Sequence, residues 1–180
     1  LPLELAKVKP TEHGTTLTLT DLDQSKSFPD PEVLRRLLVR EYGREEGFTI
    51  FVNEEPLRMA DMGGQRTEHH FEVEGVGPVI MRLAITDKAL PKSDAGFVYR
   101  IDGKVVGKPS FCGLDDEEDI PEKVRNRVYG EIEADGLDKH VTADWGALIE
   151  NSLPLQVIKE TVRQEASAHV REVCKSEVNL

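Results

Sequence analysis

Alternation is the first pattern along this chain. In Thr15-Thr16-Leu17-Thr18-Leu19-Thr20, followed by Leu22, leucines take every second place among β-branched threonines. A period of two predicts a half-buried strand. Past a loop carrying Ser25, Ser27 and Pro29 the period lengthens, and Val33, Leu34, Leu37, Leu38 and Tyr42 recur at helical spacing. Asp30-Pro31 supplies an N-cap and a first-turn proline, and Gly43 a stop. The pattern therefore predicts a helix with Leu34, Leu37 and Leu38 in the core and Arg35 on its solvated face.

Shorter apolar runs follow. Phe48 to Val52 predicts a strand, with Glu54-Glu55-Pro56 turning after it, and Met59 to Arg66 reads as a loop around Gly63-Gly64. Strands are predicted over His70 to Val73 and Val79 to Ile85, joined by Gly75-Val76-Gly77-Pro78. Phe97 to Ile101 and Lys104 to Val106 flank Asp102-Gly103, a two-residue hairpin signal because both positions tolerate positive φ. Val128 to Glu133 alternates as a strand. The last helix begins near Ser152-Leu153-Pro154, and Leu155, Ile158, Val162, Ala166, Val170 and Val173 give it one apolar stripe. Strand, helix, a run of strands, then helix predicts an α+β fold: a mostly antiparallel or mixed sheet with helices on one face.

Composition narrows the function classes. At 180 residues, 38% apolar and 32% charged, the chain is long enough for a core without staples. Its longest apolar run, Val76 to Ile85, is broken by Gly77, Pro78 and Arg82, so no membrane span is expected. A net charge of −11 disfavours a broad grip on nucleic acid, leaving only a local basic patch around Arg35, Arg36, Arg40 and Arg44, for which a solvated helix face is the simpler reading. Cys112 and Cys174 have neither metal nor C-x-x-C spacing and read as free thiols in a reducing compartment, so a cytoplasmic location is expected. Leu1 is not followed by a charged-then-apolar leader, and the chain is expected to be a piece of something longer.

Candidate chemistry is sparse. His69 and His70 on a strand point to opposite faces and cannot chelate one ion together. The acidic run Asp115 to Asp119 lacks the spacing and glycine of an EF-hand and reads as a solvated loop. Asp61-Met62-Gly63-Gly64 echoes a phosphate loop but opens no predicted helix. Around Ser110-Phe111-Cys112-Gly113 no neighbour in sequence would activate the thiol. No catalytic residue and no metal site are assigned.

Three stretches together resemble one family. Gly14-Thr15-Thr16-Leu17-Thr18-Leu19-Thr20-Asp21-Leu22 is similar to the glycine-threonine strand that ends the ATPase domain in GHKL ATPases. Gly96 to Gly107 resembles the transducer hairpin of MORC-like and MutL-like members, and Arg127 to Asp135 with Val141 to Asp144 resembles their late transducer strand and the loop after it. The resemblance implies that residues 1–29 are a terminal strand and connector from an ATPase domain. Residues 30–180 would then be a transducer-like domain with a left-handed β-α-β fold shared with a small-subunit ribosomal protein.

On this reading the chain itself carries no cofactor, while ATP and magnesium belong to the full-length protein. Gly14 and Thr15 are the only pocket remnants, since the helix bearing the catalytic glutamate and magnesium-binding asparagine and the D-x-G-x-G loop have no counterpart here. The implied partner is an upstream ATPase domain of the same polypeptide, with a homodimer also allowed. Relatives place a lysine or arginine after the late strand to reach the γ-phosphate; here Asp144-Trp145-Gly146 stands there, with Lys139 or Lys88 as distant substitutes. Trp145, Asp144 and Lys139 are therefore the candidate interface residues. Two settings are open for Trp145: packed under the last helix near Leu155, or partly exposed and docking on the ATPase domain. The alternative function is a stand-alone interaction domain using a sheet edge or the apolar helix stripe, with a small enzyme ranked behind both.

Overall fold

The computed structural model describes residues 14–21, 23, 25, 29–43 and 48–178. Helix α1 (Pro31–Tyr42) opens the described elements, with Pro31 at its first position and Gly43 closing it through an N–H bond to the Val39 carbonyl. A miniature hairpin follows, β1 (Phe51–Val52) and β2 (Glu55–Pro56), turned by Asn53 and Glu54 at φ of 50° and 69°. After a 3-10 turn at Met59–Met62 come two long strands, β3 (Gln65–Val73) and β4 (Gly77–Ile85). A hairpin, β5 (Gly96–Ile101) and β6 (Lys104–Ser110), is next, and the one-turn helix α2 (Glu122–Arg125) leads to β7 (Val128–Glu133). The 21-residue helix α3 (Leu153–Val173) closes the fold.

Five strands make the main sheet in the order β3-β4-β7-β5-β6. All neighbours are antiparallel except β5 and β7, which run parallel. The sheet is therefore mixed, and the class is α+β. One face carries the core: Met81, Leu83, Phe97, Ile101, Val128 and Ile132 pack with Leu155, Ile158, Val162, Ala166 and Val170 of α3, all essentially without solvent contact. The predicted α3 stripe is thus the heart of the core. It is unavailable for recruiting a partner.

The other face is covered differently from the predicted one-sided arrangement. Val39 of α1 and Met62 close over Tyr129, with Leu90 at the margin, so α1 guards one end of this second face. Farther along the same face the strands carry charge, and Arg82 bonds Glu68 at 2.9 Å and Glu133 at 2.7 Å across three adjacent strands. Arg100 reaches Glu131 at 3.4 Å. Cross-strand pairing of this kind lets a sheet face stay wet without like charges opposing one another.

Several expectations are corrected. Residues 14–20 form no strand; they are exposed, Leu17 at 81% and Leu19 at 67%. Alternation confers a ladder only where a neighbouring strand accepts it, and no strand of either sheet pairs with this segment. Leu22, the last residue of that pattern, lies outside the described residues. Among the described side chains of α1 the buried one is Val39, while Leu37 is 47% exposed and Leu34 and Leu38 only half-buried. β3 starts five residues before the predicted His70, because Gln65 to His69 pair with β4 despite their polarity.

Candidate functional site

The 141–148 loop is built with unusual care for a surface loop. A bridge between Val141 and Leu148 closes its base. Within it the Trp145 N–H donates to the Thr142 carbonyl at 2.8 Å and the Thr142 N–H to the Ala147 carbonyl at 2.8 Å. The Thr142 hydroxyl donates to Asp144 Oδ1 at 2.6 Å, and the Gly146 N–H donates to the same oxygen at 3.1 Å. These bonds hold the Asp144 carboxyl below the usual carboxylate range, the Thr142 hydroxyl first. Asp144 is therefore occupied in shaping the turn.

The turn's product is the placement of Trp145. Its backbone sits at φ 58°, a left-handed conformation that a bulky residue adopts only under tertiary constraint. Its side chain is not buried in the core beneath α3. Trp145 is 36% exposed, and Lys104 Nζ lies 5.2 Å from the ring centroid, within cation–π range. Lys104 follows the Asp102-Gly103 turn, whose φ values of 50° and 78° fit the predicted tight hairpin. The cation that meets Trp145 is thus Lys104. Sequence reasoning missed it: Lys104 was legible as a hairpin-tip residue, but nothing local says that the β5–β6 tip and the 141–148 loop meet.

Below the loop, the Ile149 N–H donates to the His140 carbonyl at 2.7 Å. His140 Nδ1 bonds the Ser152 hydroxyl at 2.8 Å, and that hydroxyl also accepts the Leu155 N–H as the N-cap of α3. A short bonded path therefore runs from the Trp145 loop into the start of the core helix. Lys139 lies in the 3-10 turn Asp135–His140 with its side chain exposed. Gly14 and Thr15 are exposed as well. No atom among the described residues lies within 4 Å of a Cβ placed on Gly14.

A second candidate is the cleft of about 570 Å³ lined by Pro31, Arg35, Arg36, Asn53, Asp61 and Gly63. Arg35, read from sequence as a solvated residue, is instead only 13% exposed at its side chain. It donates to Asp61 through Nε at 2.9 Å and Nη2 at 2.8 Å, and to the Glu55 and Pro56 carbonyls at 3.0 and 2.6 Å. It ties α1 to the 3-10 turn and the β1–β2 hairpin at once. Burial works against the Asp61 charge, but the bonds from Arg35 and the Arg58 N–H outweigh it and hold the carboxyl below its usual range. Arg36 stays exposed, while Arg44 and the Arg40 side chain lie outside the described residues. With Arg35 fully engaged and Asp61 ionised, the cleft offers a phosphate little. Gly64 is glycine for a structural reason, since a Cβ there would stand 2.2 Å from the Ile85 carbonyl oxygen.

Other motifs resolve into architecture. His69 Nδ1 lies 3.2 Å from Glu165 of α3, while His70 bonds Glu68 on the opposite face at 2.6 Å. Cys112 is buried, its thiol pushed up by burial and 3.6 Å from both Tyr99 Oη and Ser110 Oγ, which leaves it unreactive. The acidic run is not simply solvated: Glu117 bonds Arg163 and Arg171, and Asp119 bonds Arg171 at 2.6 Å, clasping α3. Among the described residues no helix is long and apolar enough to cross a membrane. No protein-family model matches the chain, and a search of curated proteins finds no significant match.

Proposed function

We propose that this chain is the transducer, or coupling, module of a GHKL-type ATP-binding protein, passing nucleotide state from an adjoining ATPase domain to dimerisation or partner binding. The observation that carries the reading is the segment 14–20: strand-patterned, with leucines on alternate positions, yet exposed and unpaired with either sheet. A segment so patterned but not formed as a strand is suited to complete a sheet supplied by another domain, and its Gly14-Thr15 head is where the family resemblance places the nucleotide pocket. The parallel β5–β7 pair is joined through β6 and the one-turn helix α2, without a long crossover helix, so the sheet supports the reading only at the level of the α+β class.

On this reading Trp145 is the contact point. An aromatic ring held in a constrained turn docks on a neighbouring domain through apolar contact and one indole N–H. Phosphate sensing falls outside its chemistry. Displacement of the ring would reach α3 through His140 and Ser152. Magnesium and ATP would be bound by the adjoining domain, because Gly14 and Thr15 alone supply too few ligands for phosphoryl chemistry. The interaction-domain alternative loses the α3 stripe to the core and retains only a sheet edge.

The test uses the polypeptide that joins this chain to its nucleotide-binding domain. Trp145→Ala should leave MgATP binding intact in calorimetry while removing nucleotide-driven compaction in small-angle scattering. ATP turnover by the purified 180-residue chain, lost on Thr15→Ala, would overturn the proposal.

A further inference from the structure

One carboxylate and two imidazoles share the seam where α3 lies on β3. His69 pairs with Met81 of β4, which has no solvent contact, so both residues face the core side of the sheet, beneath α3. His69 Nδ1 lies 3.2 Å from Glu165 Oε2, and its Nε2 lies 3.2 Å from Thr67 Oγ1. Both ring nitrogens of His69 therefore have partners. His169 follows Glu165 by one turn of α3, a spacing that makes the two side chains neighbours. Its Nε2 is enclosed and has no hydrogen-bond partner among the described residues. The carboxylate one turn away is committed to His69.

The charges around the seam are unevenly placed. Burial is the largest influence on His169 and disfavours its imidazolium; Glu172 on the same helix favours that form, and His69 on the facing strand opposes it. The other charged residues of β3, Arg66, Glu68, His70 and Glu72, alternate onto the opposite face, where Glu68 bonds His70 and Arg82. One carboxylate neutralises one imidazolium. Protonating both rings therefore leaves a cation in the seam whose nearest carboxylate is already taken, and an enclosed charge without a bonded partner is costly.

β3 is poorly anchored against that cost. It stands at one end of the sheet order, and of its residues facing α3 only Val73 is buried, while Thr67, His69 and Phe71 are half-buried. Local opening is drawn from elements with few buried apolar contacts. We propose that the α3–β3 seam is an acid-operated latch: protonation of His169, beside a His69 that already holds Glu165, frees β3 from α3 and weakens its ladder with β4 while the rest of the sheet stays folded. The opened seam hydrates His169 and binds the proton more readily. β3 is thus held fully at neutral pH and released as pH falls through the ordinary imidazole range. The proposal stands independently of nucleotide coupling.

Amide hydrogen exchange of the 180-residue chain tests it, with protection corrected for the pH dependence of intrinsic exchange. β6, at the far end of the sheet, serves as the reference. Between about pH 7.5 and about pH 5.5 the protection of β3 should fall several-fold relative to that of β6. His169→Gln should abolish the relative fall. His69→Gln frees Glu165 for His169 and should shrink it. Glu165→Gln leaves two imidazoles without that carboxylate and should enlarge it. Packing alone would not produce that order. A relative protection indifferent to pH overturns the proposal. So does a fall that survives in His169→Gln, and so do equal falls in His69→Gln and Glu165→Gln. Circular dichroism at neutral pH confirms that each variant retains its fold.

Discussion

Arg35 and Leu37 stand two residues apart on α1 with roles opposite to those their chemistry suggests. The leucine is half in water, while the arginine is almost enclosed and bonded to Asp61 and two backbone carbonyls. Helical periodicity located the helix well, but an apolar arc spanning Val33, Leu34, Leu37, Leu38 and Tyr42 is broad. Which part of such an arc is buried depends on what lies opposite, here the side chains of Met62 and Tyr129. We expect Leu37→Ala to change stability by no more than about 0.5 kcal/mol, as surface substitutions do. Arg35→Ala should lower the urea midpoint clearly more, since it strands Asp61 and several carbonyls. A titration in which Leu37→Ala is the more damaging would refute the placement of α1.

His169 offers a residue-scale test by pH. Its Nε2 is buried and has no hydrogen-bond partner among the described residues, and burial holds its pKa below the ordinary imidazole value. Glu172 on the same helix favours the charged form, and His69 on the facing strand opposes it. The folded pKa is depressed, so the unfolded chain binds the proton first. Stability is full above the ordinary value of about 6.5 and declines as pH falls through that value toward the folded one. Thermal midpoints should therefore drop between neutral and mildly acid pH, and His169→Leu should flatten that drop. An unchanged slope in the variant would contradict the assignment.

Among the elements, α3 was the most legible. Its predicted stripe, N-cap Ser152 and early Pro154 all stand in the structure, because a long amphipathic helix on a sheet has one way to bury its face. Ile158→Ala should cost about 2–5 kcal/mol, read from chemical denaturation. The β5–β6 turn was equally legible, as Asp102-Gly103 encodes its own backbone. No atom lies within 4 Å of a Cβ placed on Gly103, so Gly103→Val is penalised by φ alone, about 1–2 kcal/mol. Gly103→Asn should be milder. Equal costs for the two would mean that the turn is not left-handed there. What could not be read were features set by distant partners. Polar Gln65 to His69 become strand because β4 is beside them, and Glu117 and Asp119 leave solvent because α3 brings Arg163 and Arg171. Segment 14–20 shows the converse: strong strand propensity without a neighbour makes no strand.

For the whole molecule, the proposed coupling role assigns the 14–20 segment to pairing with another domain and the Trp145 loop to docking on it. The most direct measurement is amide hydrogen exchange of residues 15–20 and 141–148, in the isolated chain and in the polypeptide that carries the adjoining nucleotide-binding domain. The account predicts fast exchange at 15–20 in the isolated chain, strong protection in the joined protein, and further protection of 141–148 when MgATP binds. Protection of 15–20 in the isolated chain, or fast exchange there in the joined protein, would contradict it.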